Sequence, residues 1–285
     1  MGKRIVCLMA ALLLVVSFVG CSSSTSGSSS AANEPAETAE TTETEGGEAE
    51  ELGDMLEKIK ASGKLVVGVE ATFPPFESYD VETGTTIVGF DIDLVQEIAN
   101  DLGVELEIRD MEFAGIVPSV QSGKIDLAPC ITRTDERALV VAFSGEYTSS
   151  KLGAVIREDD DTITTLEELL EKRVSVQLGS LADRQVTANG ITPKGYNKHD
   201  EALLNVKNGM EDAHILDGTV GNQYAQSLGG LKVVEIPELN EGVPGLSCIV
   251  PLGQDALLAE VNKTIERLES SGEMDALRAK WNLFA

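Results

Sequence analysis

The sequence predicts a mixed α/β protein built as two lobes, and three observations carry that prediction. Strand-type and helix-type segments alternate from about residue 53 onward, the pattern of a sheet with helices on its faces. One junction occurs twice, as Val120-Gln121-Ser122-Gly123-Lys124-Ile125-Asp126 and as Val206-Lys207-Asn208-Gly209-Met210-Glu211-Asp212. Polar segments follow the apolar strands in both halves, where open α/β sheets place their ligands.

The 285 residues suffice for two real cores. A net charge of -26 makes nucleic acid and anionic membrane surfaces poor partners, although glutamates crowded between Glu34 and Glu57 supply part of it. There is no C-x-x-C or H-x-x-x-H spacing, no glycine-rich phosphate loop and no Ser-His-Asp constellation. Neither a metal nor a cofactor is expected.

In chain order, residues 1–20 read as a leader: basic MGKR, then the apolar run IVCLMAALLLVVSFV, which is short for a spanning helix. Phe18-Val19-Gly20-Cys21 resembles a bacterial lipobox. That resemblance implies cleavage before Cys21 and acylation there by more than one chain, as stable anchoring requires. Cys7 would leave with the leader, so Cys130 and Cys248 remain; an oxidising compartment permits a bridge between them, but two free thiols are expected. Residues 21–51, rich in Ser, Thr, Gly and Glu, offer no apolar periodicity to offset ordering entropy and read as a tether.

The folded body opens with DMLEKIKASG, a short amphipathic helix ending at Gly63, and the strand KLVVGVE. FDIDLVQEIANDLG carries Leu94, Val95, Ile98, Ala99 and Leu102 on one helical face, with Gly103 suited to the C-cap. VELEIRD alternates as a strand, FAGIVPSVQSG is a helix and IDLAPC a strand. The alternation continues through LGAVIRE, TLEELLEK, RVSVQLG, LADRQVTANG, EALLNVKNG, DAHILD, TVGNQYAQSLGG and LKVVEI, and closes on two helices broken at Gly272. It predicts a mostly parallel sheet arrangement.

Four segments beyond strand ends form the candidate cleft: Glu70 to Phe76, Cys130 to Arg137, Leu178 to Asp183, and Asp217. Arg137 offers a planar fork of donors suited to a carboxylate. Thr134 is placed to cap the helix that begins at Asp135. Asp217, in the other half, suits a cation. An arginine and an aspartate facing across a cleft fit a zwitterion, and Phe73 and Phe113 offer faces for the rest of it. Arg133 is expected at the surface. His199 and His214 are expected to take no part in the chemistry.

GVEATFPPFE, IVGFDIDLVQEIANDLGVELEI, FAGIVPSVQSGKIDL, ITRTDERALVVAFSGEY, VSVQLGS and LRAKWNLF together resemble the polar amino-acid-binding proteins of ABC importers, the family 3 solute-binding proteins of glutamine, lysine-arginine-ornithine and histidine type. The resemblance implies a periplasmic-binding-protein-like type II α/β fold, two lobes joined by two hinge strands with the cleft between them. Lobe 1 would comprise residues 52–147 and 245–285, and lobe 2 residues 148–244. It also implies that Arg137 and Thr132 hold the ligand carboxylate, that Asp217 takes the ammonium, and that Phe73 and Phe113 sandwich the side chain. Glu70 would stand near the distal end, and Gln177, Ser180 and Leu181 would belong to the second-lobe loop. Cys130 stands where serine or glycine is usual, and Ala114 and Leu181 also depart from the pattern.

The expected function is capture of a free polar amino acid, neutral or cationic, by a lipid-anchored, extracytoplasmic monomer that delivers it to the transmembrane subunits of an ABC permease. It is not expected to be an enzyme. The alternatives are a periplasmic enzyme of cyclohexadienyl dehydratase type, for which Glu70 is the candidate acid or base, and a ligand-sensing module.

Overall fold

The computed structural model describes residues 53–283. The leader, Cys21 and the whole of the tether lie outside them. Helix α1 (Met55–Ser62) starts on Asp54, whose carboxylate accepts from Glu57 N at 3.2 Å. Strand β1 (Lys64–Val69) follows, then a small antiparallel meander of β2 (Thr72–Phe73), β3 (Glu77–Tyr79) and β4 (Ile87–Val88). Helix α2 (Phe90–Leu102) buries the predicted Leu94, Val95, Ile98 and Ala99, with Leu102 half-buried. Next come β5 (Glu105–Asp110), α3 (Phe113–Gln121), β6 (Ala128–Thr132), α4 (Asp135–Ala138) and β7 (Val141–Thr148).

The second half runs β8 (Leu152–Arg157), α5 (Leu166–Leu169), β9 (Val174–Gln177), α6 (Leu181–Ala188), β10 (Lys194–Tyr196), α7 (His199–Lys207), β11 (Ala213–Asp217), α8 (Gly218–Leu228) and β12 (Leu231–Glu235). The chain then returns through β13 (Leu246–Pro251), α9 (Asp255–Ser271) and α10 (Glu273–Lys280), the last two separated at Gly272.

Strands β10-β9-β11-β8-β12 form one five-stranded sheet, while β1-β5 and β6-β13-β7 form the sheets of the first half. The expectation of mostly parallel pairing needs correction. β1 with β5, and β9 with both β10 and β11, are parallel; β8 is antiparallel to β11 and β12, and β13 to β6 and β7. The cause is chain crossing. β8 and β13 each arrive from the opposite half and enter beside the ends where their neighbours leave: Leu152 pairs with Asp217, and Leu246 with Thr132. A strand that starts where its neighbours finish must run against them.

The repeated junction has the same geometry twice. Gly123 and Gly209 take left-handed φ values of 68° and 72°, which a Cβ would strain. The aspartate after each accepts from a backbone N–H of the adjacent strand segment, Asp126 Oδ2 from Val66 at 2.8 Å and Asp212 Oδ2 from Arg173 at 2.9 Å. Each aspartate's own N–H returns a bond to the carbonyl of that same residue. Each half thus locks a helix exit to a strand start by one device.

One apolar cluster joins α1, α2, β1 and α9 to Val155, Leu203, Leu216 and Val220 of the second half. A second cluster, including Ala154, Ile156, Val176 and Ile215, fills the other face of the five-stranded sheet. Both faces of that sheet are therefore covered, and its free edge for ligand is the strand-end rim.

Candidate functional site

A cavity of about 450 Å³, mouth included, opens at that rim. Eight of the ten residues expected from sequence line it: Phe73, Phe113, Cys130 and Thr132 from the first half, and Gln177, Ser180, Leu181 and Asp217 from the second. Arg137 and Glu70 stand behind the wall, bonded to residues that form it. Ser150, Leu152, His199, Leu216 and Leu246 also line the cavity and were missed. For Ser150, Leu152 and Leu246 the available signal was their place at the two chain crossings.

Arg137 is 5 % exposed. Its Nη1 donates to the Thr132 carbonyl at 2.7 Å and to Thr132 Oγ1 at 3.1 Å, and its Nη2 donates to the Gly179 carbonyl at 3.0 Å. The guanidinium stands 5.4 Å from the centroid of Phe113. Thr134 Oγ1 accepts from Arg137 N at 3.2 Å and caps α4, as expected. Burial, with help from the nearby Arg184 charge, lowers the Arg137 pKa to about 10, which leaves it a cation at neutral pH. Its bonds run to neutral acceptors. Arg133, by contrast, is exposed and lies against Phe143.

Asp217 ends β11 and begins α8. Its Oδ1 accepts from Thr219 N at 2.8 Å and Val220 N at 3.4 Å, and its Oδ2 from Ser150 Oγ at 2.9 Å and Lys151 N at 3.3 Å. Burial raises its pKa against these bonds. Capping and cavity lining are therefore carried by one carboxylate. It too has only neutral hydrogen-bond partners among the described residues, so a guanidinium behind the cavity wall and a carboxyl on that wall come from opposite halves. Ser180 caps α6 by accepting from Asp183 N at 3.1 Å, which sets Ser180, Leu181 and the helix N-terminus at the cavity.

Glu70 is 2 % exposed and takes Thr72 Oγ1 on both oxygens at 2.8 Å. Gln177 Nε2 donates to it at 3.1 Å across the two halves. Its link to the cavity thus runs through Gln177. Behind it, Glu77 Oε1 accepts from Glu70 N at 3.0 Å. Cys130 adopts a left-handed φ of 64°, and its N–H donates to Tyr147 Oη at 2.7 Å, while Tyr147 donates to Asp91 Oδ1 at 2.7 Å. Cys130 and Cys248 are buried free thiols. Two further contacts join the halves, Asn197 to Glu112 at 2.9 Å and the Arg184–Glu136 ion pair.

Burial lifts the Glu70 pKa from 4.5 to about 7, against the bonds from Thr72 and Gln177. Its folded value lies above its unfolded one, so its contribution to stability is complete below pH about 4.5 and is lost as pH rises through about 7. Glu70→Gln should therefore gain on the wild type by about 3 kcal/mol between roughly pH 4 and pH 8. Urea unfolding of the ligand-free protein at both pH values tests this. A stability difference that does not change with pH would refute it.

The model of the bacterial extracellular solute-binding proteins, family 3, matches residues 65–284. The chain belongs to this family. It is 30 % identical over 223 residues to the arginine-binding extracellular protein ArtP of Bacillus subtilis (strain 168), covering 76 % of this chain and 86 % of ArtP. Among solved structures, an ancestral arginine-binding protein bound to glutamine is 38 % identical with a TM-score of 0.72, covering 77 % of this chain and 97 % of that one. The ancestral amino acid-binding protein AncCDT-1, a precursor of cyclohexadienyl dehydratase, is 30 % identical with a TM-score of 0.73, covering 80 % and 99 %. The fold of this family 3 member is that of the type II periplasmic binding proteins.

Proposed function

We propose that this family 3 protein captures a polar L-amino acid, neutral or cationic, and hands it to the transmembrane subunits of an ABC permease. The observation that carries the reading is Arg137, directly behind the cavity wall on one half and bonded to the lining residue Thr132, and Asp217 on the wall of the other half, each hydrogen-bonded only to neutral partners among the described residues. A zwitterion supplies both missing charges: its carboxylate answers Arg137 and Thr132, and its ammonium answers Asp217. Phe73 and Phe113 flank the side chain. The relatives named for arginine, and the one bound to glutamine, support a cationic or neutral ligand.

Lobe 1 comprises residues 52–147 and 245–285 and lobe 2 residues 148–244, a division supported by the five-stranded sheet lying within residues 152–235 and by the return of β13 to the first half. The halves would part at the two crossings and close on the ligand. Cys21 would carry the lipid anchor and residues 21–51 the tether, which places a monomeric binding body at the outer face of the membrane. The support is the apolar run ending at Phe18-Val19-Gly20-Cys21.

A dehydratase reading has one observation in its favour, the Glu70 pKa near 7. Both Glu70 oxygens are occupied by Thr72 and Gln177, however, and its carboxyl is set back from the cavity wall. We propose binding without turnover. Titration calorimetry of residues 53–285 against the twenty amino acids should give saturable, one-to-one binding for a polar subset. Absence of binding across the panel, or turnover of arogenate or prephenate, would reverse this assignment.

A further inference from the structure

His199 and His214 have no part in the clamp, yet both are buried, at 2 % and 0 % exposure. They form a chain. Ser175 Oγ lies 3.0 Å from His214 Nδ1, and His214 Nε2 lies 2.9 Å from His199 Nδ1. The last nitrogen, His199 Nε2, is buried without a hydrogen-bond partner among the described residues, and His199 is part of the cavity wall. Native structures rarely leave a buried polar atom unpaired. At a ligand cavity, the ligand is the natural partner.

The chain also determines what that atom offers. Ser175 Oγ donates to the Ala213 carbonyl at 3.1 Å. A carbonyl only accepts, so the hydroxyl proton is committed there and His214 Nδ1 must donate to Oγ. A neutral His214 then accepts at Nε2, His199 donates from Nδ1, and His199 Nε2 keeps a bare lone pair. Burial holds both rings neutral, His199 down at about 3 and His214 well below its ordinary value. The His199 ring is also held in place: its backbone N–H donates to Thr72 Oγ1 at 3.3 Å, and its ring lies 5.5 Å from that of Phe73.

We propose that His199 Nε2 accepts a hydrogen bond from a side-chain N–H or O–H of the bound amino acid, and thereby selects ligands that carry such a donor. The proposal rests on the amino-acid reading above. An apolar side chain would leave Nε2 unpaired, and a carboxylate would set a second acceptor against it. The sites that discriminate most strongly are those whose own buried polar group goes unpaired with the wrong ligand.

The test is calorimetry with glutamine, lysine and arginine against norleucine, methionine and glutamate, on the wild type and on His199→Phe. The wild type should prefer at least one donor-bearing ligand over the donor-free set by about 30-fold or more. In His199→Phe that preference should shrink to within about 5-fold, chiefly through loss of the donor-bearing ligand. An equal fall for all ligands, or an unchanged preference, would overturn the role of His199 while leaving the clamp intact. No binding by any amino acid would overturn the amino-acid reading itself, a different result. Should the variant not fold, the wild type still decides: in a ¹⁵N spectrum of labelled histidines, His199 Nε2 should be unprotonated and should shift on adding the tightest donor-bearing ligand but not norleucine. A protonated Nε2 in the free protein would refute the proposal.

Discussion

Arg137→Ala is expected to weaken amino-acid binding by about 100-fold or more, on the order of 3 kcal/mol. The ligand carboxylate would lose a forked, charged donor in a site where little water reaches it. The fold should barely notice. Arg137 bonds to the Thr132 and Gly179 carbonyls, but its burial opposes its own charge, so removal relieves a cost as it removes bonds. Calorimetry and thermal melts on the same preparation separate the two quantities. Arg137→Lys sharpens the result, because it keeps the charge and loses the fork, and recovery should be partial. A loss of only a few-fold in the alanine variant would mean that the carboxylate is held elsewhere.

Asp217→Ala should differ by striking both quantities. Its carboxylate serves Thr219, Val220, Ser150 and Lys151 as well as the proposed ammonium. Truncation strips the N-cap of α8 and leaves partly buried donors unpaired, a loss of about 2–4 kcal/mol in folding stability. Binding should fall by about 30-fold or more. Asp217→Asn parts the roles, since its amide oxygen still accepts from Thr219 and Val220 for the cap, with only the long Lys151 N–H bond given up, while the negative charge is gone. Near-native unfolding midpoints with lost binding are expected for Asn, against losses in both for Ala. Retained affinity in Asp217→Asn would show that the ammonium is held by another group.

Much of the fold was legible because its signals are local. The apolar stripe of α2, the cap at Thr134 and the two V-x-[SN]-G-x-x-D junctions are written within a few residues, and each has the expected geometry. Strand direction was not local. A run such as LGAVIRE is equally apolar in a parallel or an antiparallel pair, and only its arrival beside Asp217 sets it against β11. The site divided in the same way. Strand-end position found Phe73, Thr132, Gln177 and Asp217, but His199 opens a helix, where an amphipathic pattern marks a ring only as buried. Its hydrogen-bonded neighbour His214 is 15 residues later in the sequence, and Ser175, which bonds His214, is 39 residues before that histidine.

By itself, then, the sequence determined the α/β alternation, the caps and turns, and the order of the polar segments at strand ends, Arg137 and Asp217 among them. Periodicity, capping chemistry and residue charge act over one or two turns of chain, so they can be read without a fold. Tertiary structure alone decided that β8 and β13 run against their neighbours, that Glu70 lies behind Gln177, and that a cavity-wall histidine keeps a buried ring nitrogen without a hydrogen-bond partner among the described residues. Those outcomes depend on which distant groups share hydrogen bonds and exclude water together: Glu70 meets Gln177 across 107 residues, and His199 meets Thr72 across 127.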